Sequence, residues 1–509
     1  MSSKKKTATS GSKKRTAGKE KTPDVVIVSS EAWPWVKTGG LADVAGALPR
    51  AMAQAGARVR LFVPLYKSID RKKFKIPSRG GVKFRVPVSA RIMEGTAHMI
   101  SPSDNLEVWF IEQEQYFGRE GVYLDPTGHD YPDNLERFAF FSRAVLETLI
   151  ASGQPPDIIH CNDWQTGMIP AYLKTIYAGV PFFKNTGSLI TIHNMGYQGR
   201  FHPSQWHLLG ISWDHFHPGG LECYGHINLL KGGLIHADII TTVSPTYSQE
   251  ILTPDGGFGL DGLLLHRVDR LHGVLNGIDT QEWNPATDQL IPHNFNRSDM
   301  AGKALCKTEL LRNMRLDRGE GPLMAVVSRL ADGKGMELLA DCLDPMLAKG
   351  AQFLLLGSGD KALEQRFKQL AVSWPGQVSV TIGYDEALSH SIQAGSDMLL
   401  VPSRYEPCGL TQMYALAYGT APLVRATGGL NDTVRQYDRA TGEGNGFKFD
   451  EYSKEALLAK ALEGIEFYLT DRRNWNKMVK MGMGEDNSWG RSARKYFSLY
   501  RLASSSGGK

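Results

Sequence analysis

Residues able to do chemistry recur at one place in the repeating pattern of this chain, directly after a short apolar run. Two of these places combine cations with glycine. Lys37 precedes Gly39 and Gly40 after the run 24–28, and Arg329 and Lys334 lie in the glycine-containing stretch 328–335, after 324–327. An ammonium or guanidinium beside backbone N–H groups at a helix start suits a phosphate, and two cations so spaced can clamp a diphosphate from two directions. A solvated basic loop is the alternative at both. Two more places carry carboxylates: Asp163 follows 157–160, and Glu406 sits in the turn 402–412, behind the run 397–401. His193 follows 188–192. Glu406 either caps the next helix or faces a ligand. Asp163 and His193 read singly as loop caps; on one rim with Lys37 they read as a cleft.

Such placement requires open α/β sheets, in which ligands bind beyond the carboxyl ends of the strands. The first half supplies strand candidates at 24–28, 58–64, 107–111, 157–160, 188–192 and 239–243. A helical pattern spans 41–55, with Pro49 an awkward interior residue, and another runs from the N-cap Asp133 to about residue 150. Residues 65–105 carry little pattern. After a polar passage at 280–320, strands at 324–327, 353–356, 378–382, 398–401 and 422–424 alternate with helical stretches. Two doubly wound domains follow, at 23–285 and 286–487, with an amphipathic helix in 488–509. Glycine turns at 357–360 and 427–430 repeat the anion-friendly pattern, and Tyr384, after a strand, could stack on a base.

Composition narrows the class. The 509 residues are 42% apolar and 22% charged, and no long uncharged apolar run or signal peptide is visible, which fits a soluble cytoplasmic protein without a membrane partner. Residues 1–22 hold eight Lys or Arg against one Glu, more positive charge than the net +5 of the whole chain. The basic character is thus a tail, read as disordered and solubilising, and the slightly acidic body gives no reason to expect a nucleic-acid partner. Five scattered cysteines without a CxxC pair imply reduced thiols, neither disulfides nor zinc. Cys408 has no base or metal partner in prospect and reads as packing.

The run Lys37-Thr38-Gly39-Gly40-Leu41-Ala42-Asp43-Val44 resembles the N-terminal signature of bacterial glycogen synthases and plant starch synthases, and ordered motifs in both halves extend the resemblance over about 24–502. It implies a GT-B fold: two Rossmann-like domains facing a cleft, with the C-terminal helix packed back on the first. It also implies transfer of glucose from ADP-glucose to the non-reducing 4-hydroxyl of an α-1,4-glucan such as glycogen, with retention. Lys37 then contacts the sugar nucleotide, with Gly39, Gly40 and Asp43 as lining. Tyr116, Asp163 and His193 lie near the sugar, and Arg329 and Lys334 at the diphosphate. Glu406 positions the sugar, Tyr384 meets the base, and Gly409, Leu410 and Thr411 cradle phosphate. No D-x-D is present and no metal is expected. Two departures stand out: Asn162, where some relatives have histidine, receives no role, and Gly333 replaces the usual glutamine and is expected to loosen its loop. His160 is expected to be structural. The rivals are a glycosidase using Asp163 and Glu406, a UDP-glucose-dependent transferase of another acceptor, and a glucan-binding protein without activity.

Overall fold

The computed structural model describes residues 23–506; the tail 1–22 lies outside the described residues, as do 507–509. The first domain is built on a nine-stranded sheet. Across it the strands run Leu271–Gly273, Ile239–Thr242, Gly187–Ile192, Ile158–Asn162, Asp24–Val28, Arg58–Pro64 and Leu106–Glu112, all parallel, and then Arg91–Ser103 and Val82–Val88, antiparallel. The last two fill the region that carried little pattern. Most residues of the central parallel strands are buried because helices cover both faces, whereas Val82–Val88 alternates, burying Phe84, Val86 and Val88. Its Pro87 is tolerated because this is the sheet's edge.

Register decides where the functional loops emerge. Val28 pairs with Phe62 on one side and Cys161 on the other, and Cys161 pairs with Ile190. The chain after Val28, Asn162 and Ile192 therefore leaves the sheet along one edge, which brings the Lys37 loop, Asp163 and His193 together. In the second domain six parallel strands stand in the order Val378–Ile382, Gln352–Gly357, Leu323–Val327, Met398–Val401, Ala421–Arg425, Phe447–Phe449. Here Val327 pairs with Leu356 and Leu399 with Ala325, so the Arg329 loop and the Glu406 turn share an edge as well. The helix Gly40–Gln54 continues through Pro49, which is buried within it.

Two crossings join the domains side by side. Ile278 donates its N–H to the Asn487 carbonyl at 2.8 Å as the chain leaves and re-enters. Beyond the crossing, residues from Trp283 onward already pack on the second domain, with Trp283 lying flat against Tyr414. The helix Trp489–Ser506 returns to the first domain, where Ala493, Tyr496, Tyr500 and Ala503 form one buried stripe. It lies close to the strand Gly187–Ile192, because a Cβ on Gly187 would stand 2.8 Å from the Ala503 backbone. Tyr500 meets His160 Nδ1 at 2.8 Å, and His160 Nε2 meets Thr191 Oγ1 at 2.6 Å. Burial holds that imidazole down to about 3, so it is a neutral structural bridge.

Candidate active site

On the first-domain wall, polar side chains satisfy one another. Asp163 has φ 55° and ψ −173°, a conformation nearly confined to glycine that costs about 1–3 kcal/mol. Its Oδ1 accepts the His193 N–H at 2.7 Å, an over-determined contact of the kind that sustains such strain. Burial pushes the Asp163 carboxyl up to about 7. The His193 Nε2 lies 2.9 Å from Asn162 Oδ1. Asn162 Nδ2 donates to the Val28 carbonyl at 3.0 Å, which fixes the amide's orientation. His193 Nε2 must therefore be the donor, and Nδ1 keeps its lone pair. Burial holds this imidazole down to about 3, so it is neutral. Asn162, given no role from sequence, sets the His193 tautomer.

The Lys37 loop departs from expectation in one respect. Its Gly39 N–H does not face outward: it donates to Glu31 Oε2 at 3.2 Å, and the same oxygen accepts the Thr38 N–H and, at 2.8 Å, the Thr38 hydroxyl. A buried carboxylate of the chain itself thus occupies the anion-friendly turn, leaving Lys37 as the loop's cation. Lys37 Nζ pairs with Asp43 Oδ1 at 2.7 Å. Gly40 opens the helix, and a Cβ on Gly39 or Gly40 would meet no atom within 4 Å.

Tyr116 does not reach the cleft. It is fully buried, its hydroxyl donates to Glu136 Oε1 at 2.5 Å, and its ring packs on Phe140. Tyr123 is the tyrosine that stands with the site, donating to Glu31 Oε1 at 3.2 Å and lying 2.7 Å from Ser30 Oγ.

The second-domain wall is more open. Glu406 Oε2 accepts Lys334 Nζ at 2.6 Å and the Ser403 hydroxyl at 3.1 Å. The guanidinium of Arg329 is exposed and has no hydrogen-bond or ion-pair partner among the described residues. The Arg329 loop and the Glu406 turn are clamped together: Arg404 N–H donates to the Gly333 carbonyl at 2.8 Å, and a Cβ on Gly335 would stand 2.1 Å from the Pro402 carbonyl. Gly333 has φ +80°, the left-handed region that glycine enters without cost, so the substitution suits a pinned backbone where a loosened loop was expected. Gly409, at φ +72°, turns the chain into the helix Thr411–Ala417, while Leu410 precedes it. Cys408 is buried with its thiol pushed up to about 12, consistent with packing.

The turn at 427–430 is also filled by a carboxylate, this time from the other domain. Glu250 Oε1 accepts the Gly428 N–H and the Thr427 hydroxyl, each at 2.9 Å. Beside it Asp432 accepts the Thr246 N–H at 2.9 Å, capping a first-domain helix from the second domain.

Two adjoining cavities lie in the cleft. One of about 300 Å³ is lined from both domains, by Lys37, Asp43, Trp33 and Arg50 on one side and Arg329 and Tyr384 on the other. The second, about 180 Å³, is lined by Arg329, Lys334, Glu406 and Gly409. Arg329, Leu410 and Thr411 border both. Asp163 and His193 line neither. Among the described residues, Glu282, Glu386 and His390 form the one group whose ligand atoms lie close enough together to hold a metal ion.

Residues 24–266 match the family model described as the starch synthase catalytic domain, and residues 308–482 that of glycosyl transferases group 1. The glycogen synthase of Anaeromyxobacter dehalogenans is 46% identical over 481 residues, 94% of this chain and 99% of its own. That of Koribacter versatilis is 43% identical over 479 residues, covering 94% and 98%. The catalytic domain of starch synthase IV from Arabidopsis thaliana, bound to ADP and acarbose, superposes with a TM-score of 0.86 at 34% identity, covering 95% of this chain and 100% of that one. A sucrose-phosphate synthase from Thermosynechococcus elongatus superposes at 0.57 with 18% identity, covering 94% and 98%, a likeness of fold alone. Two Rossmann-like domains that face one another across a jointly lined cleft make this a GT-B glycosyltransferase. The chain belongs to the glycogen synthase and starch synthase family, and it is a glucosyltransferase. No helix among the described residues is long and apolar enough to cross a membrane.

Proposed function

We propose that this enzyme transfers glucose from ADP-glucose to the non-reducing 4-hydroxyl of an α-1,4-glucan, in the cytoplasm, with retention and without a metal at the diphosphate. The observation that carries the reading is the grouping of Arg329, Lys334 and Glu406 around a cavity that adjoins the one lined by Lys37. A departing nucleoside diphosphate gains negative charge as the C1–O bond breaks. Fixed cations placed where that charge develops lower the barrier more than they tighten substrate binding. Arg329 is unpaired among the described residues and Lys334 is aimed by its bond to Glu406, so both serve this purpose. Glu406 holds the sugar while its anomeric carbon becomes oxocarbenium-like. The leaving phosphate oxygen takes the proton of the acceptor hydroxyl, which attacks from the face just vacated. Retention follows, and ADP leaves with the proton.

On the opposite wall Asp163 fixes the His193 backbone, and closing the domains would bring that strand end over the sugar. The carboxylate of Asp163 already accepts the His193 backbone N–H, which suits a positioning residue. The likeness to a starch synthase domain holding ADP and acarbose supports both the donor and the glucan acceptor.

The test supplies labelled ADP-glucose or UDP-glucose with glycogen and no added divalent metal. Chain elongation from ADP-glucose with equimolar release of ADP is expected. Elongation from UDP-glucose alone would overturn the donor assignment, and shortening of glycogen without donor would replace transfer by hydrolysis.

A further inference from the structure

The segment leaving the first domain carries Glu282 and Trp283 onto the second-domain helix Glu386–Gly395. Trp283 lies between two rings, 3.8 Å from His390 and 3.7 Å from Tyr414, nearly parallel to both. His390 is 1% exposed. Its Nδ1 lies 2.8 Å from Asp288 Oδ2, an oxygen that also accepts the Tyr418 hydroxyl at 2.5 Å. An ionised carboxylate only accepts, so Nδ1 carries a hydrogen, and it is the neutral form of the ring that presents a lone pair at Nε2. That Nε2 is buried and has no hydrogen-bond partner.

What surrounds it is acceptor as well. Glu282, Glu386 and His390 each offer a ligand atom within 4.8 Å of the others. Two partly buried carboxylates thus converge on a buried imidazole nitrogen that has no partner, a donor set that suits a cation. Lys37 is engaged by Asp43.

We propose that Glu282, Glu386 and the Nε2 of His390 bind one divalent transition-metal ion of the zinc or manganese class, tying the interdomain segment to the second domain. One imidazole with two carboxylates suits these ions better than calcium or magnesium, which favour all-oxygen shells. Asp288 is the outer carboxylate that orients a metal-binding imidazole. With bonds of about 2.0–2.2 Å, small rotations of the two partly buried glutamates close the set around one ion. Both glutamates line the larger cavity, which provides the entry path and room for water as a further ligand. None of the three residues lines the cavity of Lys334 and Glu406.

Full-length protein stripped with chelator and desalted is titrated with zinc chloride, and separately with manganese chloride, by calorimetry and by tryptophan fluorescence. One saturable site is expected, with a fluorescence change because Trp283 stacks on the ligating ring. Glu282→Gln and Glu386→Gln should each weaken binding by about 10-fold or more. Replacing buried His390 endangers folding, so the glutamates carry the test, with circular dichroism confirming that both variants fold. No saturable binding would overturn the proposal, as would binding equally tight in both variants, which would mark exposed histidines as the ligands. A chelator-treated protein whose His390 proves doubly protonated and indifferent to either metal would overturn it too.

Discussion

On the first-domain wall of the cleft Glu31 ends on Thr38 and Gly39, Asp163 on His193, and His193 on Asn162, so that nearly every polar group is answered from within the domain. On the second-domain wall Glu406 and Lys334 answer each other, but Arg329 stands exposed without a partner among the described residues. One wall is buried, with acid and base groups driven toward their neutral forms. The other keeps its cations half-open to solvent. The difference assigns the tasks. An anion leaving with charge needs cations that have not been spent internally, whereas a sugar carbon that becomes electron-poor needs rigid, oriented dipoles around it. The interdomain contacts extend the same logic, because Glu250 and Asp432 fill helix starts across the boundary rather than pairing with Arg329 or Lys334.

The largest effect that would break this contrast belongs to Glu406. In Glu406→Gln the carboxylate partner of Lys334 is gone while the cation remains. We expect kcat to fall by about 10²–10³-fold, the scale for removing one oriented electrostatic group, with KM for ADP-glucose little changed. Steady-state kinetics at saturating glycogen decides it. A near-normal kcat would mean that the open wall binds donor without acting in the transition state.

How much of this was legible before folding depends on how far apart the partners lie. Asp24–Val28 and Arg58–Pro64 were readable because a strand buried on both faces carries a dense apolar, β-branched run, as at Val25–Val28 and Leu61–Val63. The antiparallel pair Val82–Val88 and Arg91–Ser103 was not, although Phe84, Val86 and Val88 alternate with Lys83 and Arg85. Pro87 and the polar character of the longer strand obscured a pattern that an edge position permits. Lys37, Arg329, Lys334 and Glu406 were found by the rule that polar residues directly after strands face the ligand. The same rule reaches Glu31, which follows Asp24–Val28 within three residues. Tyr123 and Glu250 were beyond it: their partners Glu31 and Gly428 lie 92 and 178 residues away. Tyr116 was placed by resemblance alone, and its spacing cannot distinguish a core ring from one in the cleft.

A second prediction probes the closed wall through pH. The carboxyl of Asp163 stands at about 7 in the folded protein and near 3.9 when the chain is unfolded. Between those values the folded state holds a proton that the unfolded state has lost, so this residue's stabilising contribution is complete below about pH 4 and declines as pH rises through 7. Asp163→Asn keeps an acceptor for the His193 N–H and abolishes the titration. Denaturation midpoints should therefore show the variant gaining on the wild type by a few kcal/mol between pH 5 and pH 8, then running parallel above. A constant difference across that range would show that the wall tolerates a buried charge, and the contrast with the open wall would lose its electrostatic basis.

The smallest expected effect lies at the cation of the first-domain loop. Lys37 is 40% exposed and pairs with Asp43, so Lys37→Ala removes an ion pair of a kind worth under about 1 kcal/mol, and the denaturation midpoint should hardly move. Its effect should appear instead in KM for ADP-glucose, raised roughly 10-fold by the loss of about 1.4 kcal/mol of donor binding, with kcat changed far less than by Glu406→Gln. The two variants then separate binding from turnover across the cleft. If Lys37→Ala lowered kcat and left KM untouched, Lys37 would belong functionally with Arg329 and Lys334, and the first domain would supply transition-state charge as well as shape.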